Sequence, residues 1–413
     1  MNGHRSLSAF NDRYTRLTGR VDVLVNDCTL REGEQSALVN IRPDQKVRFA
    51  RALAAAGIKQ IQVGYPGLSR SDFDVLRQLQ SADIGAALDA VVLGYLPSWR
   101  EQVQAAVDAG AHVVSLVYVT SKPRREQIFR ASKPEIKDRS RALIEAAKKG
   151  GLTVSFAPAD TTRTEIDFVL EMVELAEDAG ADRIFVADTL GAAAPGAVRW
   201  LVEQVRGVTR LPVQFHGHND FGLVLANALA ALEAGASIID TTLNGWGDRT
   251  GNPPTEEFVA ILDLLYGSPV GVDLAAITRL SKEVAAELAV PIAPTKPVTG
   301  TLAFAHKLET HVKAVLTHPP AFEAYDPAIV GGARHVAIGQ YSGPEAVAAR
   351  LATLGIRVDA PVLASFVERV RESARATNRV LSDDDLRQLA REAGLAHPTG
   401  RPGHQPTESG SRS

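Results

Sequence analysis

The sequence predicts a parallel (β/α)8 barrel followed by a smaller helical region, and three features carry that prediction. Eight apolar runs rich in β-branched residues alternate with helical patterns over residues 21–266. The runs are nearly continuous in apolar character, as strands covered on both faces are. Polar clusters follow several of them, where a barrel of this kind places its active site. An open doubly wound sheet is the competing arrangement.

The strands are expected at 21–26, 58–65, 87–96, 111–120, 152–157, 183–187, 212–216 and 237–243. Pro43 opens a helix that ends at Gly57, Ser69 opens the next, and Ala106 leads into Gly110. Later helices end near Gly150, Gly180, Gly207 and Gly235. After residue 266 the rhythm stops, and helices are expected at 273–289, 344–354 and 360–377, with LSDDDLRQLARE at 381–392. The expected organisation is an N-terminal extension at 1–20, the barrel at 21–266, helical subdomains at 267–396 and a disordered tail at 397–413. The extension holds Arg5, Arg13, Arg16 and Arg20 against Asp12. It faintly resembles a transit peptide but lacks an amphipathic pattern, and it reads as disordered.

Composition narrows the function classes. The chain has 413 residues, 45% hydrophobic and 23% charged, with a formal net charge of -3. That balance offers no basic surface for phosphates, so nucleic acid is excluded as an expected partner. No apolar run approaches the ~20 residues that span a bilayer, and Cys28 is the single cysteine, so no intrachain disulfide forms. A cytoplasmic enzyme fits these facts.

Three polar clusters converge on the same predicted rim: DCTLREGEQS at 27–36 after strand one, HGHND at 216–220 after strand seven, and NGWGDRTGN at 244–252 after strand eight. His216 and His218 are two apart on a strand, so their side chains share a face. Two imidazoles and a carboxylate, for which Glu32 is the candidate, supply three metal ligands and leave positions open for substrate. The competing reading of HxH is a hydrogen-bonded surface pair. Arg31 beside Glu32 suits a site where negative charge develops on a substrate oxygen, unless it merely pairs with Glu34. Asn252 offers an amide oxygen near the metal, and Asp248 with Arg249 reads as a structural ion pair.

Together with DTLG at 188–191, these blocks resemble the signatures of the DRE-TIM metallolyase family, in particular its Claisen-condensing branch of homocitrate, 2-isopropylmalate and citramalate synthases. The resemblance covers about residues 21–345. It implies a TIM barrel, a divalent metal ion (Mg2+, Mn2+ or Zn2+), and joining of acetyl-CoA to a 2-oxo acid followed by thioester hydrolysis. By the same resemblance Glu32, His216 and His218 are metal ligands, with Asn252 a fourth or supporting group. Arg31 polarises the ketone, Asp27 supports the site, and Thr189 contacts the substrate carboxylate. FAHKLETHVKAVL at 304–316 resembles a homocitrate synthase segment whose second His, here His311, is the catalytic acid or base contributed by the partner subunit. Tyr341 is a weaker candidate, and a homodimer with exchanged helical regions is implied. A lone His such as His311 is otherwise usually structural.

Departures from the family pattern bear on substrate. Strand five reads Ala157-Pro158-Ala159-Asp160 where the family carries SxED, so a carboxylate is missing at Ala159. Strand two ends in Gln62-Val63-Gly64 rather than EVG. Pro97 and Trp99 stand near the place of a basic pair that reads the distal carboxylate of 2-oxoglutarate, while Arg130 matches a family Arg near the substrate. With Trp99 and Arg130 taken as substrate contacts, the 2-oxo acid is expected to be smaller, more apolar or unusual. Pyruvate, 2-oxoisovalerate, oxaloacetate or the phosphonopyruvate and phosphinopyruvate of secondary metabolism fit. The alternatives are a metal-dependent carbon-carbon lyase on the same barrel, disfavoured because Cys28 is not on a loop like the lyase cysteine, and a catalytically silent binding barrel.

Overall fold

In a computed structural model that describes residues 3–11 and 22–395, eight strands close into one parallel barrel, each paired with its sequence neighbours and the last with the first. The strands are β1 (Leu24–Asp27), β2 (Gln60–Gly64), β3 (Ala87–Leu93), β4 (Val113–Val119), β5 (Thr153–Ala159), β6 (Arg183–Asp188), β7 (Val213–Gly217) and β8 (Ala236–Thr241). The ring is sealed where Asn26 of β1 lies opposite Asp240 of β8. The open doubly wound sheet is thereby replaced by a closed one.

The helices that wrap the barrel are α1 (Pro43–Ala55), α2 (Arg70–Ala82), α3 (Trp99–Ala109), α4 (Lys133–Lys149), α5 (Ile166–Asp178), α6 (Pro195–Val208), α7 (Val224–Glu233) and α8 (Thr255–Ala260). Local chemistry sets their ends. Ser69 accepts a hydrogen bond from the Asp72 amide at the start of α2, and Ser132 with Glu135 forms a reciprocal cap on α4. The core lies between the outer face of the barrel and these helices, around Phe156, Phe168, Phe215, Leu53, Ile61 and Leu76, all fully buried. Burying each such side chain contributes about 1.5–3 kcal/mol.

α9 (Leu274–Glu287) also belongs to the barrel unit, which runs to Gly300 and not to residue 266 as expected. The reason is packing: Ile277, Leu280 and Val284 are buried, the Asp273 amide donates to the Ala56 carbonyl at 2.8 Å, and Asn244 Nδ2 donates to the Ser281 carbonyl at 3.0 Å.

The second unit gathers residues 3–6 with Thr301–Ala328 and the chain from Gly332 onward. Helices α10 (Glu309–Thr317), α11 (Pro344–Thr353), α12 (Ala360–Thr377) and α13 (Asp383–Glu392) surround a core of Val312, Val347, Leu351, Phe366, Val370 and Leu386. Part of the N-terminal extension is ordered here, contrary to expectation. The Ser6 amide donates to the Ala324 carbonyl at 2.7 Å and the Asp326 amide to the His4 carbonyl at 3.0 Å, satisfying backbone groups on both segments. Residues 12–20 of that extension, the start of strand one at Val21 and the tail at 397–413 lie outside the described residues.

Gly57, just after α1, has φ of 104°, and a Cβ there would stand 2.2 Å from the Gly271 carbonyl oxygen. Gly57→Ala is expected to lower stability by about 1–3 kcal/mol, read as a fall in the denaturant midpoint. An unchanged midpoint would mean that the backbones at 57 and 271 separate freely.

Candidate active site

The turn after β1 separates its charged residues by function. Asp27 is fully buried, accepting from the Thr29 amide at 3.0 Å and from Thr255 Oγ1 at 2.8 Å. It fastens the turn to the first residue of α8. Burial raises its pKa to about 6 against the pull of those two hydrogen bonds. Glu34 turns away to accept from Lys46 Nζ at 2.6 Å and from the Ile41 amide at 3.1 Å. The pairing of Arg31 with Glu34 therefore does not form. Arg31 and Glu32 instead contact each other and face the barrel mouth.

β7 delivers the two histidines to the same side, with their Nε2 atoms 3.3 Å apart. His216 Nδ1 lies 2.9 Å from Asp240 Oδ2 on β8. The other Asp240 oxygen accepts from Asn26 Nδ2 at 2.8 Å and from Gln214 Nε2 at 2.5 Å. An oxygen accepting at Nδ1 holds the tautomer that leaves Nε2 with its lone pair free, the arrangement that orients a metal-binding imidazole. Glu32 Oε1 is 3.8 Å from His218 Nε2, and one donor atom from each of Glu32, His216 and His218 lies within 4.8 Å of the others.

The electrostatics match that convergence. Burial pushes the Glu32 carboxyl up, but Arg31, His216 and His218 outweigh it and hold the pKa at about 2. Burial, aided by His216, lowers His218 to about 4, so it stays neutral near pH 7. Asn252 Nδ2 donates to the Gly217 carbonyl at 2.9 Å, while its buried Oδ1 has no hydrogen-bond partner among the described residues. His218 Nδ1 is likewise unpartnered. Two imidazole nitrogens and a carboxylate suit a divalent cation such as Mg2+, Mn2+ or Zn2+, with Asn252 held next to the histidines on the Gly217 carbonyl.

Below the mouth, Arg31 Nε donates to Gln62 Oε1 at 2.6 Å, and Gln62 Nε2 donates to Asp89 Oδ2 at 2.6 Å, with Ser115 Oγ donating to the same carboxylate at 2.9 Å. The amide at position 62 suits this chain, since a Glu there would set two carboxylates in contact. Burial raises the Asp89 pKa to about 7 against the hydrogen bonds from Gln62 and Ser115. A cavity of about 210 Å³ opens above these groups, lined on its other walls by Val91, Leu93, Val117, Ala157, Ala159 and Phe185.

Comparison with known proteins decides the family. The model described as HMGL-like matches residues 22–284, and the homocitrate synthase post-HMGL domain-like model matches residues 298–378. The chain belongs to the HMGL-like family. It is 36% identical over 370 residues to a homocitrate synthase of Methanopyrus kandleri, covering 90% of this chain and 92% of that protein. It is 34% identical over 366 residues to a 2-isopropylmalate synthase of Methanocaldococcus jannaschii, covering 88% of this chain and 70% of that protein. Among solved structures, the hydroxymethylglutaryl-CoA lyase from Pseudomonas aeruginosa superposes with a TM-score of 0.58 at 22% identity, covering 66% of this chain and 95% of that one, a likeness of fold.

Within this HMGL-like site the sequence-derived residues are not all together. Arg31, Glu32, Thr189, His216 and His218 line the cavity. Trp99 does not: it opens α3 with 4% exposure, its ring under the Arg100 guanidinium at 4.2 Å, and Tyr95 reaches the cavity from the same loop. Arg130 does not either. It is exposed at φ of 50°, closing the turn at Arg125–Phe129, whereas Arg124 lines the mouth. Tyr95 and Arg124 were missed because they match no motif; their one signal is position, just past strands three and four. Arg249 does more than pair with Asp248 at 2.6 Å, since it also holds Asp220 at 2.8 Å and the Thr189 carbonyl at 2.8 Å. His311 and Tyr341 are in the second unit, His311 stacked on Phe322 at 4.2 Å and Tyr341 exposed.

Two outcomes follow. Asp240→Asn is expected to weaken Mn2+ binding about 10–100-fold in calorimetric titration; unchanged affinity would show that His216 needs no such support. Asp89 has a folded pKa raised above its unfolded value, so its burial costs stability as pH rises from about 4 to about 7. Asp89→Asn should therefore gain melting temperature relative to the parent more at pH 8 than at pH 5, and an equal difference at both would refute the buried acid.

Proposed function

We propose that the protein is an acyltransferase that condenses acetyl-CoA with a 2-oxo acid and releases CoA. The observation that carries this reading is the convergence of Glu32, His216 and His218 beside Arg31, in a chain whose relatives along most of its length are named homocitrate and 2-isopropylmalate synthases. A divalent ion held by Glu32, His216 and His218, with Asn252 adjoining, would supply Lewis acidity toward the keto and carboxylate oxygens of the 2-oxo acid.

The remaining chemistry falls to side chains of this chain. Arg31, held permanently charged by Glu32 and aimed by Gln62, donates hydrogen bonds to the keto oxygen as it gains negative charge. Thr189 stands on the cavity wall to meet the substrate carboxylate. Its Oγ1 accepts from the Asp160 amide at 2.9 Å, which leaves its own hydrogen free to donate. A base takes a proton from the thioester methyl, the new carbon-carbon bond forms at the keto carbon, that oxygen takes a proton, and water cleaves the thioester to give the CoA thiol. Ala159 offers no carboxylate, and Asp160 is bound by Arg163 at 2.5 Å and Ser121 at 2.5 Å, so the base comes from elsewhere. His311 of a second subunit fills that role in a homodimer, with Tyr341 as the weaker candidate.

The barrel rim supports such a partner. Leu38, Leu68, Ile128, Leu190 and Phe221 project from five different βα loops and are exposed. Large exposed apolar side chains on several loops at one rim offer area that a partner would bury. The lyase alternative loses ground because the Cys28 thiol is buried, donating to the Asn26 carbonyl, and burial pushes its pKa up. No helix among the described residues is long and apolar enough to cross a membrane.

Thiol release from acetyl-CoA with Mn2+ and a panel of 2-oxo acids tests the reading. Release with at least one acid is expected, abolished in His216→Ala and lowered about 10²–10³-fold in Arg31→Ala. No release from metal-loaded protein with any acid would sink it. Mixing His216→Ala with His311→Ala subunits should restore activity that neither has alone, and persistent inactivity of verified mixed dimers would place the base in the same chain as the metal.

A further inference from the structure

We propose that the Tyr65 hydroxyl is the acid that protonates the keto oxygen once the new carbon-carbon bond has formed. Tyr65 thereby joins Arg31 as a second donor to that oxygen. The inference deepens the acyltransferase reading and rests on it for where the keto oxygen lies.

The end of β2 sets the position. Gln62 lies on the strand and Tyr65 directly follows it, and both meet Arg31: Gln62 accepts from its Nε at 2.6 Å, and the Tyr65 ring centre stands 5.8 Å from its guanidinium carbon. The Tyr65 hydroxyl accepts from Gln35 Nε2 at 3.0 Å, and the same nitrogen lies 3.3 Å from Glu32 Oε2. One amide group thus separates the phenol from a candidate metal ligand. The backbone is held as well. The Tyr65 amide donates to Asp72 Oδ2 at 3.0 Å, and the buried Lys46 ammonium bridges Asp72 Oδ1 at 2.7 Å to Glu34 Oε2 at 2.6 Å. This ion network ties the start of the loop after β2 to the turn that carries Arg31 and Glu32.

Elimination supplies the second argument. The alkoxide made from the keto oxygen needs a proton, and few groups on the cavity can release one. Arg31 keeps its proton at any working pH. The Ser115 hydroxyl is committed to Asp89, which itself lies behind Gln62, and Thr189 is an aliphatic alcohol, no stronger an acid than the product. Tyr95 belongs to the next loop, packed on Phe129 with ring centres 4.8 Å apart. Tyr65 differs from all of these: it is half-buried on the cavity wall, and its oxygen accepts from Gln35 while its own hydrogen has no acceptor among the described residues. Phenols are stronger acids than aliphatic alcohols, so the transfer runs downhill. The Tyr65 O–H bond breaks as the alkoxide O–H bond forms. The phenolate is left between two donors, the Gln35 amide and the Arg31 guanidinium, and takes a proton back from water at the open mouth, to which the base releases the methyl proton.

Tyr65→Phe keeps the ring and removes only the oxygen. The assays are thiol release from acetyl-CoA with Mn2+ across the 2-oxo acids, and calorimetric binding of Mn2+ and of two 2-hydroxy acids, citramalate and 2-isopropylmalate, whose tertiary hydroxyl stands where the keto oxygen was. In Tyr65→Phe, kcat is expected to fall about 10²-fold, with the KM for the 2-oxo acid and the Mn2+ affinity unchanged. The better-bound 2-hydroxy acid should lose about tenfold in affinity. A parental kcat in Tyr65→Phe would overturn the proposal and leave the acyltransferase reading standing. A drop in Mn2+ affinity would overturn it too, by making the hydroxyl a prop for Gln35 and Glu32. If the parent releases no thiol while its affinity for a 2-hydroxy acid depends on Tyr65, the contact stands and the acyltransferase reading falls. With neither thiol release nor a Tyr65-dependent affinity, both fall.

Discussion

One carboxylate underlies both the barrel and its site. Asp240 takes hydrogen bonds from Asn26 across the closing seam, from Gln214 on the neighbouring strand, and from the inner nitrogen of His216. A buried anion needs several donors, and the donors here are structural on two sides and functional on the third. The same contacts that join β8 to β1 fix the tautomer of a candidate metal ligand. Fold and chemistry share this charge, so neither can be changed alone.

Above that layer, the interior separates charges that would otherwise collapse onto one another. Glu32 is held ionised by Arg31 and the histidines, and His218 is held neutral by burial. Asp89 rests near neutrality, with Gln62 between it and Arg31. An amide serves there because it accepts on one side and donates on the other. Arg31 is thereby aimed at the mouth while the acid below it is kept from direct contact with the guanidinium.

Much of this was legible in the sequence, and the residues show why. The barrel followed from the count and spacing of apolar runs, and the HxH pair from strand alternation, since both are local signals. Glu32 was legible through its motif. Asp240 was not, because nothing in SIIDT tells a buried acid from a strand-end polar residue until the seam brings Asn26 and Gln214 to it. Trp99 and Arg130 were assigned from motif position, yet a helix start buried one and a left-handed turn exposed the other. Arg124 and Tyr95 depend on loop path, which no periodicity encodes. The boundary at 266 failed because helix α9 looks like the next region in sequence but packs as the last piece of the barrel.

Arg249 ties together the loops after β6, β7 and β8 through Thr189, Asp220 and its neighbour Asp248. Those three loops carry or adjoin the metal candidates, so that part of the rim is tied together through one guanidinium. Among the described residues, the loops after β3 and β4 have no such common tie to it. The barrel mouth thus divides into an arc that fixes the reaction and an arc that can be rebuilt for a new acid. A designer seeking a different product would alter the second and leave the first alone.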